Sequence, residues 1–205
     1  QISSALIESH QQGVVHRDLK PDNIFLARIA DGSAQYKVLD FGVARTSSSG
    51  LTQTGMVYGT PTYMAPEQAK GETVGDATDL YAIGCMMFEM LTGGPPFQGQ
   101  PLQVMMKHVS EPPPSLLDLA PHLPNDVIEI VNSLLSKDPA DRIGSAVALC
   151  DTLEHVMGLN GWNRTFRLPA GPLLETTKEW HLQAGAAPSE QFGGVAFDPI
   201  AGRKT

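Results

Sequence analysis

The 205-residue sequence predicts a mainly α-helical fold of the α+β class, with a few short strands near its N-terminal end. In several segments after residue 79, apolar residues recur three and four positions apart, as they do on the buried face of a helix. Between residues 14 and 39, short apolar runs alternate with turn-forming residues, which is typical of β-hairpins. Hydrophobic residues make up 41% of the chain, which is enough to build a core and too much for a fully disordered protein.

The N-terminal third is predicted to begin with the end of a helix and to continue as short strands. Residues 1–12 have apolar positions at helical spacing, and Gly13 follows as a stop signal. Strand-like apolar runs come next, with a turn signal at residues 31–33 between the second and the third; the runs are 14–15, 24–26 and 36–39. Residues 46–59 are rich in Ser, Thr and Gly without periodicity, which predicts a loop.

The middle and C-terminal parts are predicted to be helical. Residues 79–91 are apolar nearly all round, which indicates a helix buried on every side. Residues 95–124 are dense in proline and are expected to wrap irregularly around one helix at 102–108. An amphipathic stripe over residues 127–135 predicts another helix, and Ser145 is placed to cap the next one.

Helical periodicity stops after Gly158. The sequence beyond it shows neither helical nor strand spacing of apolar residues, and no internal repeat is evident. We therefore divide the chain into a folded domain, residues 1–157, and a linker or disordered tail, residues 158–205.

Charge and cysteine content exclude several classes of protein. The chain has 14 Lys and Arg against 22 Asp and Glu, a net charge of -8, whereas a nucleic-acid binder needs a concentrated basic face. Two cysteines, Cys85 and Cys150, cannot build a disulfide scaffold or a four-cysteine zinc site, and both are expected to be small buried side chains. The longest apolar run, residues 80–88, is too short to span a membrane.

Three short motifs in a fixed order carry the functional information. Residues 16–23 read His-Arg-Asp-Leu-Lys-Pro-Asp-Asn, residues 40–42 read Asp-Phe-Gly, and residues 65–67 read Ala-Pro-Glu. In this order and spacing they resemble the catalytic loop, the magnesium loop and the end of the activation segment of protein kinases. The resemblance covers residues 1 to about 157. It implies the C-terminal lobe of the kinase fold, with short β-hairpins around the catalytic and magnesium loops and an irregular tail.

The resemblance implies a catalytic role for five side chains, with ATP and Mg²⁺ as cofactors. Asp18 corresponds to the catalytic base that accepts the proton of a hydroxyl, and Lys20 to the cation beside the transferred phosphate. Asn23 and Asp40 correspond to the magnesium ligands, whose oxygen atoms suit a hard cation. Thr60 is expected to form hydrogen bonds between Asp18 and Lys20.

The same motifs narrow the implied substrate class to serine and threonine side chains of proteins. Lys20-Pro21 follows the base where tyrosine kinases usually have alanine and arginine, and residues 59–63, Gly-Thr-Pro-Thr-Tyr, agree with this. Residues 64–68, Met-Ala-Pro-Glu-Gln, resemble the bacterial branch of these kinases. The implied place of action is the cytoplasm, with room for a membrane anchor outside this chain.

A regulatory site is also implied by the resemblance. Arg17 precedes the base, and kinases with this arginine pair it with a phosphate on the activation loop. Thr52 and Thr54 resemble the paired autophosphorylation sites of bacterial relatives. Such a reaction between two copies implies a kinase dimer.

Structural roles are implied for five further positions. His16 is expected to pack against Phe41 without acid–base work, and Asp79 to bind the backbone at His16 and Arg17. Three residues after Asp79, where these kinases usually have serine, this chain has Ala82. The remaining expectation is a buried ion pair between Glu67 and Arg142.

The glycine-rich loop, the strand lysine and the helix glutamate that complete a kinase active site are not among these 205 residues. We therefore expect the chain by itself to be inactive. One alternative is a non-catalytic kinase-like docking module, which the intact set of catalytic residues disfavours. A second is a small-molecule phosphotransferase of similar fold, which is disfavoured because those enzymes lack the segment that corresponds to residues 60–67.

Overall fold

The computed structural model of the protein describes residues 1–28, 34–39 and 61–161. Within these ranges the chain is mostly helical with one two-stranded sheet, as the sequence predicts. The elements are α1 (Ile2–Gln11), β1 (Ile24–Arg28), β2 (Ala34–Val38), α2 (Pro66–Lys70), α3 (Asp76–Thr92), α4 (Pro101–Ser110), α5 (Leu116–Leu119), α6 (Asn125–Leu134) and α7 (Ala146–Leu159). Short 3-10 turns at Pro21–Asn23 and Pro139–Asp141 precede β1 and α7.

The hairpin packs one face onto the helical core. β1 and β2 are antiparallel, with Ile24 opposite Val38 and Leu26 opposite Tyr36. Ile24 and Leu26 are buried and their partners are half-buried, which is the alternation expected of a sheet with one solvated side. The predicted strand at residues 14–15 is wrong: these residues lie in the loop after α1 and pair with neither of the two strands that the structure describes.

Helix α3 is the centre of the domain. Its first three turns are buried on nearly every side, because two core clusters enclose them. The first cluster contains Leu80 and Ile83 and packs toward α1, α6 and α7. The second contains Tyr81 and Cys85 and packs toward α5 and the segment before α2. The helix begins three residues earlier than predicted, and its last turn reaches the surface, where Met90 is 64% exposed. Among the residues that the structure describes, no helix is long and apolar enough to cross a membrane.

Helices α3 and α6 approach each other most closely at Gly84. A Cβ atom at this position would lie 2.8 Å from Leu134 Cβ and 3.2 Å from Leu135 Cδ2. Real Cβ atoms do not approach other atoms so closely, so the absence of a side chain here allows the two helices to pack.

Several details of the C-terminal half differ from the sequence prediction. The short helices α2 and α5 are not predicted, because four or five residues carry too little periodicity to reveal a helix. Ser145 caps α7 as predicted, since Ala148 N donates a hydrogen bond to its hydroxyl at 3.1 Å. However, α7 continues through Gly158 to Leu159, so a boundary at residue 157 falls inside its last turn. Cys150 on α7 is half-buried beside Ser4, not fully buried as expected.

Replacing Gly84 by alanine is expected to lower the free energy of unfolding by about 1–3 kcal/mol, because the new methyl group must displace Leu134. The matched control is Gly158→Ala in α7, where an added Cβ meets nothing within 4 Å. There the helix propensity of alanine is expected to raise the free energy of unfolding by up to about 1 kcal/mol. Equilibrium denaturation of both variants measures the difference. Equal free energies of unfolding for the two variants would contradict the prediction, because they would show that α3 and α6 can move apart at Gly84 without loss of stability.

Candidate active site

The loop that carries the first motif is held by one carboxylate of α3. It leaves α1 at Gly13, whose φ of +71° is in the left-handed region that ends many helices. Asp79, in the first turn of α3 and 1% exposed, accepts hydrogen bonds from the backbone N–H of His16 at 2.8 Å and of Arg17 at 2.9 Å. Bonds to an ionised acceptor are stronger than neutral ones, and the helix N-terminus further stabilises the charge.

His16 connects the loop to the end of the hairpin. It is fully buried, and its Nε2 lies 2.9 Å from the carbonyl oxygen of Leu39. A carbonyl only accepts, so Nε2 carries the proton, and Nδ1 is then free of a proton to accept from Asp18 N at 3.3 Å. The imidazole therefore has a structural role in shaping the loop. Phe41, its predicted packing partner, lies outside the described residues.

Arg17 has an unusual backbone conformation that a second side chain supports. Its φ of +66° is in the left-handed region, which is strained for a residue other than glycine. Its carbonyl oxygen accepts a hydrogen bond from Gln68 Nε2 at 2.7 Å, while Gln68 Oε1 accepts from Ala65 N at 3.0 Å. Gln68 thus joins the loop before Asp18 to the start of α2. Sequence reasoning missed this role; a Gln at the third position of a helix is its one local signal.

Asp18, Lys20 and Asn23 are brought together beyond this strained residue. Lys20 Nζ donates to Asp18 Oδ2 at 2.9 Å, and the two side chains are 34% and 36% exposed. Asn23, which is 8% exposed, donates its amide N–H to the Asp18 carbonyl oxygen at 2.7 Å. The site is therefore a solvent-accessible carboxylate beside an ammonium group, on a loop that is bonded to Asp79 of α3. Such an arrangement can accept a proton from a hydroxyl and offset the charge of a phosphate.

The chemistry of Asn23 fits the predicted role of a magnesium ligand. Its amide nitrogen is bonded to Asp18 O, which leaves the amide oxygen as the atom suited to a hard cation. Asp40, the second predicted ligand, lies outside the described residues. Leu39, which precedes it, is held on both sides: its N–H donates to Asn23 O at 2.8 Å, and its carbonyl accepts from His16. The described segment therefore ends at Leu39, one residue before Asp40, at a point fixed next to Asn23.

His10 belongs to the same network, and sequence reasoning missed it. Its Nε2 lies 2.9 Å from Asp79 Oδ2, and its Nδ1 lies 3.8 Å from Asp76 Oδ2. Burial by itself lowers the pKa of His10. The hydrogen bond to Asp79 and the charges of both carboxylates outweigh burial and hold this pKa above its ordinary value. The imidazolium form thus adds a third contact to the carboxylate that carries the loop.

Glu67 and Arg142 form the buried ion pair that the resemblance implies. Two parallel bonds join them, Nη1 to Oε1 and Nη2 to Oε2, both at 2.8 Å, and the residues are 2% and 5% exposed. Thr78 donates a further hydrogen bond to Glu67 Oε1 at 2.8 Å. Burial raises the pKa of Glu67, but the bonds and the charge of Arg142 lower it more, so the carboxyl stays ionised. Loss of either partner would strand a buried charge at a cost of about 3–5 kcal/mol.

Five predicted residues lie outside the part of the chain that the structure describes: Asp40, Phe41, Thr52, Thr54 and Thr60. The other predicted residues fall into two connected groups. Asp79 joins His16 and Arg17 to α3, and Asp18, Lys20 and Asn23 follow directly on the same loop. The pair of Glu67 and Arg142 lies directly beside this loop's contact with Gln68, since Glu67 and Gln68 are consecutive residues in the first turn of α2.

The stabilisation that His10 provides is expected to depend on pH. A histidine whose pKa is raised by folding stabilises the fold fully below its unfolded pKa of about 6.5, and this is lost as the pH rises through the folded pKa. The difference in unfolding free energy between wild type and His10→Gln is therefore expected to be largest near pH 6 and to shrink toward pH 8.5. Thermal or denaturant unfolding across this range measures it. His155→Gln, on the far end of α7, is the matched control, and a pH-independent difference for His10→Gln would contradict the role.

Comparison with known proteins agrees with the motifs. Residues 1–155 match the family model described as protein kinase domain. The chain is 42% identical over 198 residues to serine/threonine-protein kinase PknA of Mycobacterium tuberculosis, covering 96% of this chain and 42% of that protein. It is 42% identical over 153 residues to the probable serine/threonine-protein kinase PknB of Corynebacterium glutamicum, covering 71% of this chain and 23% of that protein.

A third relative is serine/threonine-protein kinase Pkn1 of Myxococcus xanthus, 40% identical over 157 residues, which are 75% of this chain and 23% of that protein. The chain spans between 22% and 26% of the length of the Corynebacterium and Streptomyces relatives that it matches. All of these relatives are bacterial, as residues 64–68 predict. On the match of residues 1–155 and the identity to these proteins, the chain belongs to the protein kinase family.

Proposed function

We propose that the protein containing this chain transfers the γ-phosphate of ATP to serine and threonine hydroxyls of protein substrates, with Mg²⁺ as its metal. The observation that carries this proposal is the fixed arrangement of Asp18, Lys20 and Asn23. It supplies a carboxylate, an ammonium group and an oxygen ligand within one short loop. The relatives named above are serine/threonine-protein kinases, which supports the substrate class.

Asp18 is the proposed catalytic base. Its half-exposed carboxylate can accept a hydrogen bond from the substrate hydroxyl, which orients the oxygen toward the γ-phosphorus. As the new oxygen–phosphorus bond forms, the bond from this phosphorus to the bridging oxygen breaks, ADP departs and the hydroxyl proton passes to Asp18. Lys20, 2.9 Å from this carboxylate, offsets the negative charge on the transferred group. Thr60 is proposed to bind both side chains.

Asn23 and Asp40 are the proposed magnesium ligands. When bound, Mg²⁺ neutralises the phosphate oxygens and orients them for transfer. Asn23 contributes its amide oxygen, since its nitrogen holds the loop through Asp18. Leu39, the residue before Asp40, is bonded to Asn23 and His16, which supports the assignment of Asp40 as the second ligand.

We assign the chain up to the end of α7 at Leu159 to the C-terminal lobe of the kinase fold, two residues beyond the boundary at 157 that the sequence predicts, and the remainder to a linker or tail. The 205 residues by themselves are proposed not to transfer phosphate, because the glycine-rich loop and the strand lysine that hold ATP are not among them. Cytoplasmic ATP places the reaction in the cytoplasm.

Activity is proposed to be regulated by phosphorylation of Thr52 and Thr54, carried out by a second copy of the kinase. Arg17 is the proposed receiver of the phosphate. Its backbone is held by Asp79 and Gln68, so a phosphate bound to its guanidinium would stabilise the loop next to Asp18. The phosphate would order the activation loop and the catalytic loop together.

In the natural full-length protein, Asp18→Asn is expected to lower kcat by about 10²–10⁴-fold, because the amide cannot accept the hydroxyl proton. Transfer from ATP radiolabelled at its γ-phosphate to a serine or threonine peptide measures the loss. Asp22→Asn, the same change on an exposed residue of the following turn, is the matched control and is expected to stay active. Equal labelling by Asp18→Asn and wild type would refute Asp18 as the base.

Replacing both Thr52 and Thr54 by alanine is expected to lower activity severalfold, because Arg17 then has no loop phosphate to bind. Initial rates after preincubation with ATP measure the effect. Arg17→Lys is expected to lose most of the gain on preincubation while its rate before preincubation changes less, since lysine cannot make the two-point contact of a guanidinium. A double alanine variant that is activated as wild type is would rule out these two sites.

A further inference from the structure

His108 on α4 is buried in a network that the catalytic residues described above do not include. It is fully buried, and its Nε2 lies 3.0 Å from the carbonyl oxygen of Thr62, in the segment before α2. Its Nδ1 lies 2.9 Å from the hydroxyl of Tyr81, which is also fully buried on α3. Lys137 Nζ lies 3.5 Å from the same hydroxyl, and the ring of Phe97 packs edge-on against the imidazole at 4.9 Å.

The direction of every hydrogen bond in this network follows from its partners. The Thr62 carbonyl only accepts, so His108 Nε2 carries the proton and donates. Nδ1 therefore accepts from the Tyr81 hydroxyl, whose oxygen can in turn accept from Lys137. The chain of donors runs in one direction, from Lys137 to the backbone of Thr62. Each bond polarises the next, which strengthens the hold on that carbonyl.

The network requires a neutral imidazole, and its surroundings provide one. Burial, and after it the charge of Lys137, lower the pKa of His108 to about 4. Burial also lowers the pKa of Lys137 to about 8, so near neutral pH the lysine is still mostly charged. The hold on Thr62 is thus a fixed feature at physiological pH and does not act as a pH switch.

The segment held by His108 borders the candidate active site. Residues 61–65 end at Ala65, whose N–H is bonded to Gln68, and Gln68 is bonded to the carbonyl of Arg17, next to Asp18. Tyr63 in the same segment donates its hydroxyl proton to Glu89 of α3 at 2.6 Å. The segment is thus connected through Gln68 to the residue before Asp18, so an acceptor polypeptide that presents a hydroxyl to Asp18 would lie beside it.

We infer that His108 is a positioning residue for the acceptor polypeptide: through Thr62 it holds residues 61–65 in the conformation that the acceptor meets. This inference rests on the proposed function, since it names how the acceptor of that reaction is positioned. It locates the effect on the acceptor and not on ATP, because the contacts of His108 lead to residues 61–62, Tyr81 and Phe97 and none of them reaches Lys20 or Asn23.

Two substitutions at this position in the natural full-length protein separate positioning from packing. His108→Leu keeps the approximate size of the side chain but removes both hydrogen bonds. His108→Gln can still donate an amide N–H to the Thr62 carbonyl and accept from Tyr81 through its amide oxygen. Tyr81→Phe, which deletes only the hydroxyl, is the milder variant if His108→Leu folds poorly.

The first measurement is steady-state transfer to a serine or threonine peptide. For His108→Leu we expect the KM for the peptide to rise about fivefold to tenfold, the factor that corresponds to one hydrogen bond, with the KM for ATP unchanged. His108→Gln is expected to recover most of the peptide affinity, and Tyr81→Phe to show a smaller rise. An unchanged peptide KM in His108→Leu, or an equal rise in both KM values, overturns the inference.

The second measurement does not depend on phosphate transfer. Hydrogen exchange is followed at the amides of residues 62–65, of which Met64 N–H is bonded to the Pro61 carbonyl at 3.2 Å. Their exchange is expected to accelerate in His108→Leu while that of α6 stays as in wild type. Unchanged exchange at residues 62–65 overturns the inference even in a protein that transfers phosphate. Faster exchange in a protein without transferase activity leaves the hold on Thr62 standing and refutes the proposed function instead.

Discussion

The buried carboxylate of Asp79 is the interaction on which the rest of the candidate site depends. A charge with 1% exposure is stable only when it is fully paired, and here its partners are the amides of His16 and Arg17 and the ring of His10. The carboxylate therefore cannot be satisfied without the loop, and together with Gln68 it holds the strained backbone of Arg17. Both core clusters enclose α3, so the loop is bonded to a helix that is itself held firmly in the core.

A second buried charge, the carboxylate of Glu67, is bonded to the same turn of α3. The pair of Glu67 and Arg142 fixes the first turn of α2 to the segment before α7, with Thr78 of α3 as a further partner. Gln68, one residue further along, reaches back to the loop at Arg17. The segment that leads into α2 is thus fastened at its end by Gln68 and near its start by His108. The loop and this segment, the two surfaces beside which we propose that the acceptor binds, are both bonded to α3.

The sequence predicted what depends on local pattern or on the motifs. Helices α3, α6 and α7 and the hairpin follow from apolar periodicity, and the ion pair of Glu67 and Arg142 follows from the family resemblance. The roles of His10, Gln68 and His108 could not be predicted, because their partners lie 69, 51 and 46 residues away in the sequence. No local motif or periodic pattern links residues at such separations. The helices α2 and α5 were missed because they are stabilised by caps and tertiary contacts and are too short to show a period.

The position of His10 couples proton binding to the order of the catalytic loop. Both act on the carboxylate of Asp79, so each favours the other by the same free energy, as any pair of linked equilibria must. Folding orders the loop and raises the proton affinity of this histidine, so unfolding near neutral pH is accompanied by release of protons to the solution. The heat of unfolding then depends on the ionisation enthalpy of the buffer, which makes this buried contact visible to calorimetry.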